Sequence, residues 1–189
     1  MILQGNDPYR GASFSLGNRL MRVVWGVVYL MLFRSSPRPL HAWRSFLLRL
    51  FGAKVGSGCH VYPAVKIWAP WNLVLGDHVG VANGVNLYSM DKINVGDFAV
   101  ISQGAHLCTG SHDYNSSNFQ LITSPIAIGS RVWLCAESFV GPGVSIADGS
   151  VVAARSVVSK TINEPWLVWA GVPVKQVGVR DKQRVLNQK

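Results

Sequence analysis

The most regular feature of the chain is an aliphatic residue at every sixth position. Val55, Val61 and Ile67 open three consecutive hexads. After a two-residue step the pattern resumes at Leu75, Val81 and Leu87, and after a second such step at Val95, Ile101 and Leu107. It then breaks, and returns at Ile128, Leu134, Val140, Ile146, Val152 and Val158, giving fifteen hexads. The fifth position is mostly small or β-branched, as at Cys59, Val65, Ala99, Val132 and Ser150. Such a period predicts a parallel β-helix, an all-β solenoid in which three hexads make one triangular coil. The opening aliphatics then point inward and stack, coil on coil, at a strand spacing of about 4.8 Å. Fifteen hexads predict a solenoid of about five coils over residues 55–162. The two-residue steps recur twenty residues apart and should stack as bulges on one corner.

The break, residues 110–127, is a polar excursion containing His112, Asp113, Asn115, Ser116, Ser117 and Asn118. A regular solenoid gains no core from it, and long excursions from rigid scaffolds disproportionately carry function.

Residues 1–54 follow a different pattern. Residues 23–33 are an unbroken apolar run between Arg22 and Arg34, with Asn18 as a candidate cap and Ser35-Ser36-Pro37 as a stop. The run is shorter than the roughly 20 residues of a spanning helix, and it begins late for a signal peptide. A second helix is expected between Pro39 in its first turn and Gly52 at its C-terminal end. Leu40, Trp43, Phe46, Leu47, Leu50 and Phe51 fall on one side of it, and His41, Arg44, Ser45 and Arg49 on the other. Two compatible readings stand: a helical hairpin packed on the body or on a partner subunit, or an interfacial membrane contact through aromatics and Arg.

Charge refines this division. The net charge of +9 splits into +7 over residues 1–54, −2 over residues 55–174 and +4 over residues 175–189. The chain from residue 163 to 189, which ends in that basic stretch, reads as a C-terminal basic tail. Basic ends on a slightly acidic body, without zinc-finger spacing or an RNP-like motif, argue against nucleic acid as a partner. The three cysteines, irregularly spaced, make neither a disulfide framework nor a CxxC zinc site.

Several segments are more specific than the hexads. They are Trp43-Arg44-Ser45-Phe46-Leu47-Leu48-Arg49-Leu50-Phe51-Gly52-Ala53-Lys54, Asn86-Leu87-Tyr88, Leu107-Cys108-Thr109-Gly110-Ser111-His112-Asp113 and Ala170-Gly171-Val172-Pro173. With them the chain resembles the left-handed β-helix, hexapeptide-repeat acyltransferases, and among these the exopolysaccharide O-acetyltransferases typified by the colanic-acid biosynthesis enzyme. Galactoside and maltose acetyltransferases are similar more distantly.

The resemblance implies acetyl-CoA as acyl donor, a sugar hydroxyl of a cell-surface glycan as acceptor, and no metal. It also implies a homotrimer with each site between adjacent subunits. His112 matches the general base, Asn86 an acceptor contact, and Trp133 a residue lining the acceptor or cofactor cleft. Ala136, Ala154, Ser159 and Lys160 match the coenzyme A groove. Lys175 matches a phosphate-binding position where relatives often carry Arg, with its bidentate fork. Thr161 stands where relatives often have Asp, and Trp166 and Trp169 replace residues that are commonly small or aliphatic. The family further implies a cytoplasmic enzyme, peripheral on the inner face of the membrane, acting on a lipid-linked acceptor.

The chemistry fits these residue types. Direct acyl transfer needs a base for the attacking hydroxyl, and histidine titrates near neutrality. It also needs donors for the developing oxyanion and a site that holds both substrates. Asp113 is a candidate acceptor contact or imidazole orienter, against the plainer role of a solvated loop carboxylate. Cys108 and Cys135 occupy second positions of hexads and read as packing residues. Two other functions remain: a γ-carbonic-anhydrase-like zinc enzyme on the same scaffold, and a non-catalytic solenoid docked at a membrane. The zinc enzyme needs an H-x4-H pair, whereas His106 and His112 lie six apart. The polar His112 excursion has no purpose in a mere scaffold.

Overall fold

The computed structural model describes residues 9–187. Its body is a parallel β-helix with three faces of short strands. The first face holds Lys54–Val55, Leu73–Leu75, Ile93–Val95, Ile126–Ile128 and Ser145–Ile146. The second holds His60–Val61, Gly80–Val81, Val100–Ile101, Trp133–Leu134, Val151–Val152 and Leu167–Gly171. The third holds Lys66–Ile67, Asn86–Tyr88, His106–Cys108, Phe139–Val140 and Val157–Val158.

Register follows the hexads directly. Ile67 pairs with Leu87, Leu87 with Leu107, Leu107 with Val140, and Val140 with Val158. All fifteen opening aliphatics are buried, because a two-residue strand turns one side chain inward and its neighbour outward. The small fifth positions are buried as well, from Cys59 to Ser156, except Ser111 in the excursion, which is half-buried.

The two-residue steps stack as expected, on the corner between the third and first faces. Asn72 Nδ2 donates to the carbonyls of Ser89 and Met90, and Ser89 Oγ accepts from Ala69 N and donates to Ala69 O. Thr109 Oγ accepts from Asp91 N and donates to Tyr88 O. Ser89 and Thr109 are fully buried, so this polar stitching is what lets the extra residues turn without orphaned backbone groups. The polar excursion leaves from the same corner. It is a β-hairpin rather than an open loop, with Gly110–His112 antiparallel to Leu121–Thr123, and the coil resumes at Ile126.

The chain after residue 162 is not a tail. Ile162 bridges to Ile146, and Leu167–Gly171 adds a parallel strand beside Val151–Val152, so five complete coils are followed by part of a sixth. Val174–Val179 returns antiparallel on that strand, and a short helix, Lys182–Asn187, follows. Asn163-Glu164-Pro165 interrupts the hexad and hid this last rung from the pattern.

The N-terminal helix, α1, differs from expectation in length. It runs Leu16–Val28, is capped by Ser15 rather than Asn18, and continues as a π-helical segment, Tyr29–Phe33. Its 18 residues, with a mean hydropathy of 1.3, make it long and apolar enough to reach across a bilayer, which the eleven-residue run was not. One stripe of it packs on the body. Trp25 Nε1 donates to Ile67 O at 2.9 Å, the Trp25 ring meets Tyr29, Phe33 and Phe51, and Arg22 lies 4.1 Å over Trp68.

The second helix, α2, spans His41–Leu50 and covers the open end of the first coil. Gly52, at φ +85°, ends it in the left-handed conformation that suits glycine. The helix is rotated from the expected orientation. Arg44, Ser45, Leu47 and Leu48 are buried, whereas Leu40, Trp43, Phe46 and Leu50 are exposed. Arg44 explains the rotation. Its guanidinium donates to the carbonyls of Val61, Pro37 and Arg38 and to Ser36 Oγ, at 2.6 to 2.9 Å. One side chain thus satisfies the backbone groups that the connector and the coil end would leave unpaired.

Candidate active site

His112 ends the first strand of the hairpin, opposite Leu121. Its ring Nδ1 lies 2.6 Å from Phe119 O. A carbonyl only accepts, so Nδ1 carries the proton, and the ring nitrogen left to act as a base is Nε2. Phe119 has φ +47°, a left-handed conformation that costs a bulky residue roughly 1 kcal/mol or more. The hairpin therefore holds a strained turn at the residue whose carbonyl fixes the imidazole. Asp113 does not orient the ring: its Oδ1 accepts from Asn115 N within the turn. The orienting partner is a backbone atom, for which the sequence carries no signature.

Asn86 stands outward on the third face, between Lys66 and His106 on the neighbouring coils. Its Nδ2 lies 3.2 Å from His106 Nε2. Burial, and then the nearby Lys66 charge, push the His106 pKa down, so His106 is neutral and accepts from the amide. Asn86 also lines a cleft of about 300 Å³ with Tyr29, Lys66, Ile67, Trp68 and Tyr88.

Trp133 lies elsewhere. It is outward on the second face, its Nε1 donating to Ser102 Oγ at 2.9 Å. It lines a separate hollow of about 250 Å³ with Phe98, Val100, Val132, Arg131 and Arg180. The chain thus brings Asn86 and the His112 hairpin to the third face and its corner, and Trp133 to another face.

Sequence reasoning missed the residues around Trp133. Phe98 and Arg131 sit at positive φ on equivalent corners, with His78 stacked on Phe98 at 5.0 Å and the Arg131 guanidinium 4.8 Å over the Phe98 ring. Arg180 donates to Arg131 O and Gly149 O, anchoring the chain end to this corner. The available signal was the corner position that His78, Phe98 and Arg131 share in successive coils.

The residues matched to the coenzyme A groove flank the last coils. Ala136 and Ala154 occupy the corner between second and third faces on adjacent coils, joined by the bond from Arg155 N to Ala136 O. An exposed ion pair, Arg155 to Glu137 at 2.6 Å, borders them. Ser159 and Lys160 are exposed on the next corner, and Lys175 is exposed on the C-terminal hairpin opposite Ala170. Ala136 and Ala154 carry small side chains, and Lys160 and Lys175 form no ion pair among the described residues. Thr161 has a structural task, accepting from Ser145 N. Trp166 covers Gly149, where a Cβ would come within 2.4 Å of its ring, and Trp169 takes the register position of an opening aliphatic, paired with Val152.

The chain is 48% identical over 150 residues to an Escherichia coli protein assigned as a colanic acid biosynthesis acetyltransferase, WcaF, covering 79% of this chain and 82% of that one. The chain belongs to the hexapeptide-repeat acetyltransferases, in the colanic-acid branch. It is 29% identical to the galactoside O-acetyltransferase of Escherichia coli, over 78% of this chain and 75% of that one. A Vibrio cholerae hexapeptide-repeat acetyltransferase solved with acetyl coenzyme A superposes with a TM-score of 0.81 at 25% identity, over 90% of this chain and 93% of that one. A galactoside acetyltransferase in complex with coenzyme A shares the fold at a TM-score of 0.82 and 24% identity, over 92% and 88%. No family model matches. The β-helix is left-handed, and the protein is an acetyl-CoA-dependent acetyltransferase. The zinc-enzyme reading gives way to this assignment. Among the described residues, no group of three or more His, Cys, Asp or Glu side chains is placed to hold a metal ion.

Proposed function

We propose that the protein transfers acetyl from acetyl-CoA directly to a sugar hydroxyl during exopolysaccharide assembly, with His112 as general base. The observation that carries this reading is the bond from His112 Nδ1 to Phe119 O, which leaves Nε2 as the basic atom. In the reaction, Nε2 takes the hydroxyl proton as the sugar oxygen bonds to the thioester carbonyl carbon. The carbon–sulfur bond then breaks, and the imidazolium returns the proton to the departing thiolate. Colanic acid, named for the 48% identical relative, directs the choice of acceptor to an exopolysaccharide repeat.

The working unit in this reading is a homotrimer. Trp133 and the His112 hairpin occupy separate parts of one protomer, so a site containing both needs two copies. Peripheral attachment to the inner face of the membrane belongs to the same reading. Leu16, Leu20, Val23, Val27, Leu30 and Met31 of α1 are exposed, and Trp43, Phe46 and Leu50 of α2 join them, the Trp43 indole donating to Leu32 O across the two helices. Residues 9–54 contain eight Arg and Lys and no Asp or Glu. An apolar surface rimmed by positive charge suits an anionic bilayer interface. Because α1 is tied along the body through Trp25, it would lie in the interface rather than cross it.

The test is acetyl transfer to oligosaccharides from a de-O-acetylated acidic exopolysaccharide. A base-labile acetyl ester on the glycan, formed in step with free coenzyme A, is the expected product. Thiol release without glycan ester would contradict the reading. Light scattering should give a trimer, and vesicles containing anionic lipid should retain the protein while neutral vesicles do not.

A further inference from the structure

The cleft between α1 and the third face has a composition that the general reaction does not require. Its walls are aromatic: Trp68 and Tyr88 meet edge-on at 6.2 Å between centroids, and Tyr29 closes the side formed by the helix. Its one charged lining group is positive. Lys66 lines it and forms no ion pair among the described residues, and no Asp or Glu takes part in the lining. The Tyr29 hydroxyl is buried and has no hydrogen-bond partner among the described residues. Asn86 gives its NH2 group to His106 and keeps its carbonyl oxygen to offer a sugar hydroxyl. The cleft also adjoins the catalytic hairpin: a Cβ on Gly110, at the base of the His112 strand, would lie 3.3 Å from Tyr88 Cε1.

We infer that this cleft is an acceptor subsite selecting a glycan that carries an anionic group, with Lys66 as the counter-charge and Trp68 and Tyr88 as walls for the sugar ring. The inference rests on the proposed transfer to a glycan and narrows the class of acceptor. Aromatic faces suit the apolar faces of a sugar ring, and a lysine is a point charge that accepts either a carboxylate or a phosphate. The anion has two chemical sources, a uronic acid in the glycan or the phosphate that joins a sugar to its lipid carrier. The position of Tyr29, on the helix that carries the outward apolar surface, places the cleft beside the proposed membrane contact.

The experiment compares two acceptor pairs. One is a uronic-acid oligosaccharide and its carboxyl-reduced counterpart; the other is galactose 1-phosphate and methyl galactoside. The wild type should prefer the charged member of at least one pair in kcat/KM, and that pair identifies the anion. Lys66→Ala should cut the preference about tenfold, through KM rather than kcat, while Lys66→Arg keeps it. Equal use of charged and neutral members by the wild type would overturn the inference and leave glycan acetylation standing. So would a Lys66→Ala loss equal for both members. No acetyl ester on any of the four would overturn the glycan reading itself, and this inference with it. The KM for acetyl-CoA should stay unchanged in both variants; a rise matching the acceptor effect would show Lys66 serving the donor and would also overturn it.

Discussion

The coils and the N-terminal helices obey the same hydrophobic effect and differ in how far the sequence reveals it. In the coils every opening aliphatic is buried, from Val55 to Val158. In α2 much of the apolar side faces out, while Arg44 is fully buried. The difference lies in what sets orientation. A coil strand is paired on both sides, or on one at the ends of the solenoid, so register dictates which side chain points inward. A helix capping a solenoid end can rotate, and here the polar demand of three carbonyls outweighs part of its apolar stripe. Apolar periodicity says which residues share a side of a helix, not which side is covered.

This contrast breaks or sharpens under substitution. Arg44→Met should destabilise the fold by about 4 kcal/mol in denaturant titration, because buried carbonyls lose their donors. A cost near that of a surface change would mean that Arg44 does not orient α2. Leu107→Ala, in the coil core, should cost about 3 kcal/mol by the same measurement. Leu50→Ala, 67% exposed on α2, should stay within about 0.5 kcal/mol in solution yet weaken binding to anionic vesicles. If Leu50→Ala destabilises like Leu107→Ala, the apolar side of α2 is covered and the contrast fails.

The smallest expected effect is on pH dependence. The folded pKa of His106 is lowered from 6.5, first by burial and then by Lys66. The unfolded chain therefore binds a proton that the folded chain refuses, and stability falls as pH drops through 6.5 toward the folded pKa. His41, also lowered by burial, adds to the same slope. His106→Gln should flatten the fall in thermal midpoint between about pH 7 and pH 5. An unchanged slope would remove His106 as a contributor.

Much of the fold was legible because two-residue strands tie sequence position to face. Trp133 was read beside His112 in one cleft, and the structure places the two on different parts of the coil. His112 was legible as the histidine where coil gives way to excursion. Its orienting partner was not, since a carbonyl at a left-handed Phe119 depends on the hairpin turn and not on residue type. The last coil was hidden because Asn163-Glu164-Pro165 disrupts the period and Trp169 replaces an aliphatic. Helix α1 was read short because Arg19 and Arg22 interrupt its apolar run, although Arg22 lies against Trp68 on the body.

The central claim is that His112 Nε2 removes the acceptor proton. It is tested most directly by kcat for His112→Ala at saturating acetyl-CoA and glycan, measured beside the Kd for acetyl-CoA. With Nε2 as the base, kcat should fall about a thousandfold, with Kd changed by less than about twofold and the thermal midpoint preserved. A kcat close to that of the wild type would contradict it.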